Sequence, residues 1–324
     1  MLFDYDLNNG QGPEAETILP AYDPARFFHA RLSLREPDAI YKLSLRQVWP
    51  AFASAMEAAE YIARERPFLS LSEASWQDTS LQRIEHLLYV LVEHLEDCEL
   101  ILKSCFSDPA VFAKNEHVRR YRKVIRPYRD RVASAVNAIK HNQARLRLFA
   151  LHGEEFAAPG YFVEGVLPNG VVGPAPNIHG GDSSQAFSFA FDLRLHFLCI
   201  FLVARNLTRA VERIVGPANG PAQGSASTSH MRDIGRRLAA YDRLVYPDEV
   251  RQAFPEVSIK EDRQALVIEY PSPTPPETVP SGMIRHWVAF DVANGTSGAF
   301  LPPYASAVQH PFTVQLVRSV QEHK

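Results

Sequence analysis

Residues 118–149 read VRRYRKVIRPYRDRVASAVNAIKHNQARLRLF, and the fold is decided by how they are wound. At about 100° per residue, Tyr121, Ile125, Tyr128, Val132, Ala135, Ile139 and Leu146 gather on one side of a helix. Arg119, Arg126, Asp130, Asn137 and His141 gather on the other, with Lys140 and Arg145 flanking them. That division predicts one long amphipathic helix over Val118–Phe149, bent at Pro127.

Upstream, Leu81, Ile84, Leu88, Leu91, Leu95 and Leu102 give Leu81–Cys105 a broad apolar stripe, with Asp78 or Ser80 as its cap. Asp108-Pro109 has the form of an N-cap with proline in the first turn. Two long helices joined so closely should run antiparallel. Ser44-Leu-Arg-Gln47 has capping-box spacing, so a further helix is expected over Val48–Arg66, with Pro50 in its first turns and Pro67 closing it. Residues 1–40 read as an irregular lead with a short helix at Pro24–Leu34.

Downstream, Tyr161–Leu167, Pro-Asn-Gly170 and Val171-Val172 predict a β-hairpin. Gln185–Val215, capped by Ser184, reads as a helix that is apolar nearly all round at first, which suits a buried core element or a dimer seam. Gly216–Ser229 has linker composition, and a helix follows at His230–Leu244. Val257–Ile259, Ala265–Tyr270, Ile284–Val292 and Phe312–Val320 read as strands, around the proline-rich Pro271–Gly282. The expected organisation is a lead (1–40), a helical bundle (41–215) with a hairpin near 161–172, a flexible linker (216–229), and a helix plus β-rich part (230–324). The fold class is mainly α with a smaller β part, α+β.

The chain has 324 residues, 46% hydrophobic and 22% charged, enough for a packed core. A net charge of −3 gives no global attraction to nucleic acid, so any such affinity must be local. Cys98, Cys105 and Cys199 show no CxxC and suit a reducing cytoplasm as buried thiols. The N-terminal stretch has no basic region leading into an apolar run. The uninterrupted apolar run Phe197–Ala204 is far short of the roughly 20 residues of a membrane span.

The densest charge run is Arg119, Arg120, Arg122, Lys123, Arg126, Arg129 and Arg131, opposed only by Asp130. It reads either as a phosphate-binding strip or as a solvated face paired with Glu85, Glu93, Glu96, Asp97 and Glu99. Asn137 and His141 stand four apart, so their side chains meet on the helix surface. An imidazole there could move a proton in RNA cleavage. Asn137 would orient it, and Lys140 or Arg145 would steady phosphoryl charge. His179 near Asp182 reads as loop hydrogen bonding, His196 as a core histidine, and Trp49, Trp76 and Trp287 as packing residues. No zinc spacing, Walker loop or nucleophile elbow occurs, Gly180–Ser184 included.

A helical hairpin whose second helix carries a polar residue and then a histidine four on resembles the HEPN superfamily over about residues 81–149. The resemblance implies a helical bundle that often dimerises and, in active members, a metal-independent ribonuclease of the kind found in toxins and antiviral defence. Asn137 matches the polar position and His141 the histidine; Val136 stands where the family carries arginine. The resemblance implies Asn137 and His141 as catalytic; Arg145 joins them as a spatial substitute for the arginine, which the motif itself does not grant, and the charge pattern sets Arg119, Arg122, Arg126, Arg129 and Lys140 toward RNA or a nucleotide phosphate. No metal or cofactor is expected, and a second copy of the chain is the expected protein partner. The alternative is a non-catalytic helical scaffold acting as a dimer.

Overall fold

The computed structural model describes residues 1–65, 74–142, 144–152, 157–167, 170–179, 185–250, 252–270, 285–291, 303–304 and 313–319. It opens with β1 (Leu2–Asp6) and α1 (Glu14–Ile18), then short 3-10 turns, of which Pro24–Arg26 and Ala30–Leu32 replace the single helix expected at Pro24–Leu34. Three long helices follow, α2 (Pro37–Glu65), α3 (Ala74–Ser104) and, after the short α4 (Pro109–Lys114), α5 (Glu116–Asn142). Next come β2 (Leu146–His152), β3 (Ala157–Val166), β4 (Val172–Pro174), α6 (Pro176–His179), β5 (Phe187–Ser188) and α7 (Phe189–Val215). The chain finishes with α8 (Thr228–Ala240), β6 (Glu256–Lys260), β7 (Ala265–Glu269), β8 (Arg285–Asp291) and β9 (Thr313–Ser319). The protein is mainly α, with a smaller β part divided into two sheets.

Cross-helix contacts fix the directions. Ser44 meets His94 and Arg83 meets Glu57, so α2 and α3 are antiparallel. Glu99 meets Arg122 and Tyr89 meets Lys140, so α3 and α5 are antiparallel, as their short connection requires. Arg131 meets Asp192 and Tyr128 meets His196, which sets α7 antiparallel to α5. One continuous apolar core fills the space between these four helices, and α7 lies inside it. The apolar first half of α7 is therefore covered by its own chain, the core option of the two that its composition left open.

Several element boundaries differ from the sequence expectation. α2 begins at Pro37, where a proline's fixed φ suits a first turn. Ser44 consequently lies inside the helix, and its hydroxyl is spent on His94 Nδ1 at 2.8 Å rather than on a cap. Pro50 is likewise interior, not first-turn. Asp78 and Ser80 fall inside α3, while Asp108 caps α4 as expected, accepting from the Ala110 amide at 2.8 Å. The cap of α7 is Ser188, whose hydroxyl accepts from the Phe191 amide at 3.2 Å.

The hairpin forms where the Asn-Gly signal puts it. Val166 pairs with Val172, and Gly170 adopts φ +77°, which a residue with a Cβ rarely does. The larger sheet runs β4-β3-β2-β8-β9, with β5 added to β3. Gly160 makes that addition possible, since a Cβ there would stand 2.1 Å from the Phe187 carbonyl. The smaller sheet runs β1-β7-β6, so the N-terminal residues read as irregular supply a strand.

Residues 216–229, read as linker, follow the N-terminal lead. Asn219 and Gly220 amides both donate to the Ala21 carbonyl at 3.1 Å, and Gln223 donates to Thr17 at 2.8 Å. Ser225 and Ser227 hydroxyls donate to the buried Glu16 carboxylate, and Trp49 Nε1 donates to Ser227 Oγ at 2.7 Å. All three cysteines are free and buried. No helix among the described residues is long and apolar enough to cross a membrane. Expectations for Pro67, Gly180–Ser184 with Asp182, and Pro271–Gly282 fall outside the described residues, as do those for the side chains of Trp76 and Trp287.

Candidate functional site

α5 starts because Asn115 can cap it. Its Oδ1 accepts from the His117 amide at 2.9 Å and the Val118 amide at 3.2 Å, satisfying two donors that helix geometry leaves orphaned. Glu116 in the first turn and Lys140 and His141 in the last complement the helix dipole. Val118, Tyr121, Ile125, Tyr128, Val132, Ala135, Val136 and Ala138 are buried against the core. Arg119, Arg120, Lys123, Arg126, Arg129, Asn137, Lys140 and His141 are exposed.

The helix stops at Asn142, seven residues before the expected end. The Ala144 amide donates to the Ala138 carbonyl at 3.2 Å, which satisfies one of the carbonyls that the end of the helix leaves orphaned. Leu146, Leu148 and Phe149 are buried, as expected of apolar residues here, but as part of β2. Arg145 therefore does not continue the helical face of Asn137 and His141. It is exposed just ahead of β2, and its carbonyl accepts from the Glu164 amide at 2.9 Å.

Apart from Arg131, the basic run divides into three groups. Arg122 grips Glu99 with two donors, Nε to Oε1 at 3.0 Å and Nη2 to Oε2 at 2.7 Å, and stands 4.8 Å from the Phe112 ring centre. That pair is the acidic-helix partnership the sequence offered as one of two readings. Arg126 pairs with Asp130 at 3.2 Å along its own helix, with both side chains mostly exposed. Arg119, Arg120, Lys123 and Arg129 make no ion pair among the described residues and face solvent. Lys140 lies 4.7 Å from the Tyr89 ring centre, a cation–π contact.

Arg131 belongs elsewhere. Its Nη2 donates to Asp192 Oδ1 at 2.7 Å, and its guanidinium lies 3.9 Å from the Phe187 ring centre. The Tyr161 hydroxyl donates to Asp192 Oδ2 at 2.6 Å. His196 Nε2 is 3.1 Å from the same oxygen, without hydrogen-bond alignment, and its Nδ1 is 3.1 Å from the Tyr128 hydroxyl. Burial alone would raise the Asp192 carboxyl's pKa; His196 and Arg131 beside it overcome this and hold it well below the usual range. His196 is thus a core histidine as expected, but one tied into an ionic cluster between α5 and α7. Position told against Arg131 as a strip residue: twelve residues on, it is rotated about 120° from Arg119, toward the core flank.

The predicted pair holds its place. Asn137 and His141 are exposed one turn apart, on the same line as Arg119, Lys123 and Arg126. Val136, at the position where the resembled motif carries arginine, is 2% exposed and packs inward. His179 is buried and its Nε2 accepts from the Val163 amide at 3.0 Å, a structural role. Among the described residues no group of three or more His, Cys, Asp or Glu could hold a metal ion. In comparison with known proteins, no family model matches the chain, and neither a curated protein nor a solved structure matches it.

Proposed function

We propose that the chain is a HEPN-like helical protein that binds RNA or a nucleotide phosphate along the outer face of α5. The supporting observation is the exposed row Arg119, Lys123, Arg126, Asn137 and His141, with Arg120, Arg129 and Lys140 beside it. From Arg119 to His141 the row extends about 33 Å, enough for several successive phosphates. A net charge of −3 gives no whole-protein attraction, so binding would depend on this one face. Arginine forks suit phosphate oxygens, and the ligand would gain affinity by counterion release.

The test is fluorescence anisotropy of a labelled single-stranded RNA across a salt series. Arg119→Gln, Lys123→Gln and Arg129→Gln together should weaken binding and make the log–log salt slope shallower by about 2, from roughly 0.7 per lost phosphate contact. Unchanged affinity and slope would remove α5 from the interface.

A second reading is favoured by the Asn137–His141 pair alone. An exposed imidazole one turn from a carboxamide is placed to transfer a proton during metal-independent RNA cleavage. In that reading Arg145 would have to reach phosphate from the β2 side. Cleavage in chelator by wild type, lost in His141→Ala, would support it; equal cleavage by both would exclude His141.

A further inference from the structure

A separate crevice lies where α1, the turn after it, the C-terminal half of α7 and the 216–222 segment meet. Its volume is about 270 Å³, just under the roughly 300 Å³ at which drug-sized sites begin. Ile18, Ala218 and Ala222 supply apolar walls, and Tyr22, Thr208 and Glu212 supply the polar groups. The walls are held in place: Asn219 and Gly220 amides bond to Ala21, and Arg26 donates to the Pro217 carbonyl at 2.6 Å and also to Asn219 Oδ1.

Each polar group has acceptor capacity to spare. Tyr22 is 5% exposed as a residue, and its hydroxyl, which is not among the enclosed polar atoms, makes no hydrogen bond among the described residues. Burial first, and then the Glu212 carboxylate, push its phenol up to about 12, so it stays protonated beside that charge. The Thr208 hydroxyl gives its proton to the Ala204 carbonyl at 3.0 Å, leaving its lone pairs open. Glu212 is exposed at the mouth and has no ion pair among the described residues. Arg26, the cation whose charge acts on Tyr22, is committed to the 215–219 carbonyls and amide. Arg209 and Arg213, also on α7, are exposed and neither lines the crevice.

We propose that this crevice binds a small primary amine with a short apolar body. An ammonium group carries three donors and no acceptor, which matches one carboxylate and two hydroxyl oxygens. The alkyl body would lie against Ile18 and the two alanines. The site is independent of α5, so its fate and that of the phosphate-binding strip are separable.

The experiment is calorimetric titration of the full chain with n-butylammonium chloride. Saturable binding is expected below about 10 mM, weakened about tenfold or more by Glu212→Gln, the loss of one charge-assisted bond. Tyr22→Phe, which keeps the ring, should weaken it less, and neither 1-butanol nor tetramethylammonium should compete. Failure to saturate, equal binding by Glu212→Gln, or full competition by tetramethylammonium would overturn the proposal.

Discussion

α5 and α7 are the same length, 27 residues each, and both carry arginines, but they use them in opposite ways. α5 turns most of its cations to water. α7 is buried along most of its length, and the ionic groups of its first half are enclosed by partners. Arg194 is 2% exposed and donates to three carbonyls: Ala190 at 2.7 Å, Leu238 at 2.6 Å and Tyr241 at 2.7 Å. Asp192, 2% exposed, receives Arg131 and Tyr161. A buried charge is tolerable only when its bonds are complete. A charge on one helix therefore reports function only where no neighbouring element claims it, and Arg131, on α5 but claimed by α7, marks the boundary between the two cases.

The largest effect should come from breaking that claim. Asp192→Ala would leave the mostly covered Arg131 without its counter-charge and the buried Tyr161 hydroxyl without its acceptor, costing about 3–5 kcal/mol. Arg194→Met, which keeps a similar apolar stem, would strand the Leu238 and Tyr241 carbonyls at the end of α8 and cost on the order of 2 kcal/mol. Urea denaturation of each variant against wild type is the measurement. If Asp192→Ala costs no more than a surface substitution, the contrast between the helices is false.

Buried titratable groups make the second prediction. Glu249 is fully buried, and its carboxyl accepts from the Ser188 amide at 3.0 Å, the Ser188 hydroxyl at 2.5 Å and the Tyr246 amide at 2.9 Å. Desolvation outweighs these bonds and the Arg131 charge and raises its pKa to about 8 from 4.5. Between those values the folded chain holds a proton that the unfolded chain has lost, so stability falls as pH rises from 4.5 to 8. Glu249→Gln should flatten that slope, removing a loss on the order of a few kcal/mol across the window. His94 works at the acid end: burial lowers its pKa to about 4 from 6.5. The unfolded chain takes up a proton first, so stability falls as pH drops from 6.5 to 4, and His94→Gln should blunt that loss. Chemical denaturation from pH 4 to 9 reads both.

What the sequence made legible follows from how local each signal is. The strands at 265–269, 285–291 and 313–319 fall within the expected stretches, and 256–260 overruns its expected 257–259 by one residue at each end, because alternation and flanking turns are short-range. The β1 strand was not legible, since its pairing partner, β7, lies more than 250 residues away: Leu2 pairs with Glu269. The end of α5 was misplaced because Leu146 and Phe149 continue the helical period while serving a strand. Ser44 read as a cap because spacing alone cannot know that His94 will meet it. At the candidate site, the exposed face of α5 was legible from periodicity. The inward turn of Arg131 was not, and neither were the bonds of Ser188 to Glu249, as both depend on contacts across 61 residues of chain.

The smallest stability effect offers the sharpest test of the α5 face. Asp130 is the lone acid in the row of cations, and its partner Arg126 is 77% exposed. An exposed i,i+4 pair contributes about 0.3–0.5 kcal/mol, so Asp130→Asn should leave the urea midpoint nearly where it was. The same change removes a negative charge from the middle of the row and releases the Arg126 fork to solvent. If that face meets phosphate, RNA affinity should rise several-fold at low salt, and the gain should shrink as salt screens it. A helix whose cations only keep it soluble would show the first result without the second. Stability and binding measured on one variant thus separate a surface that is merely wet from one that recognises an anion.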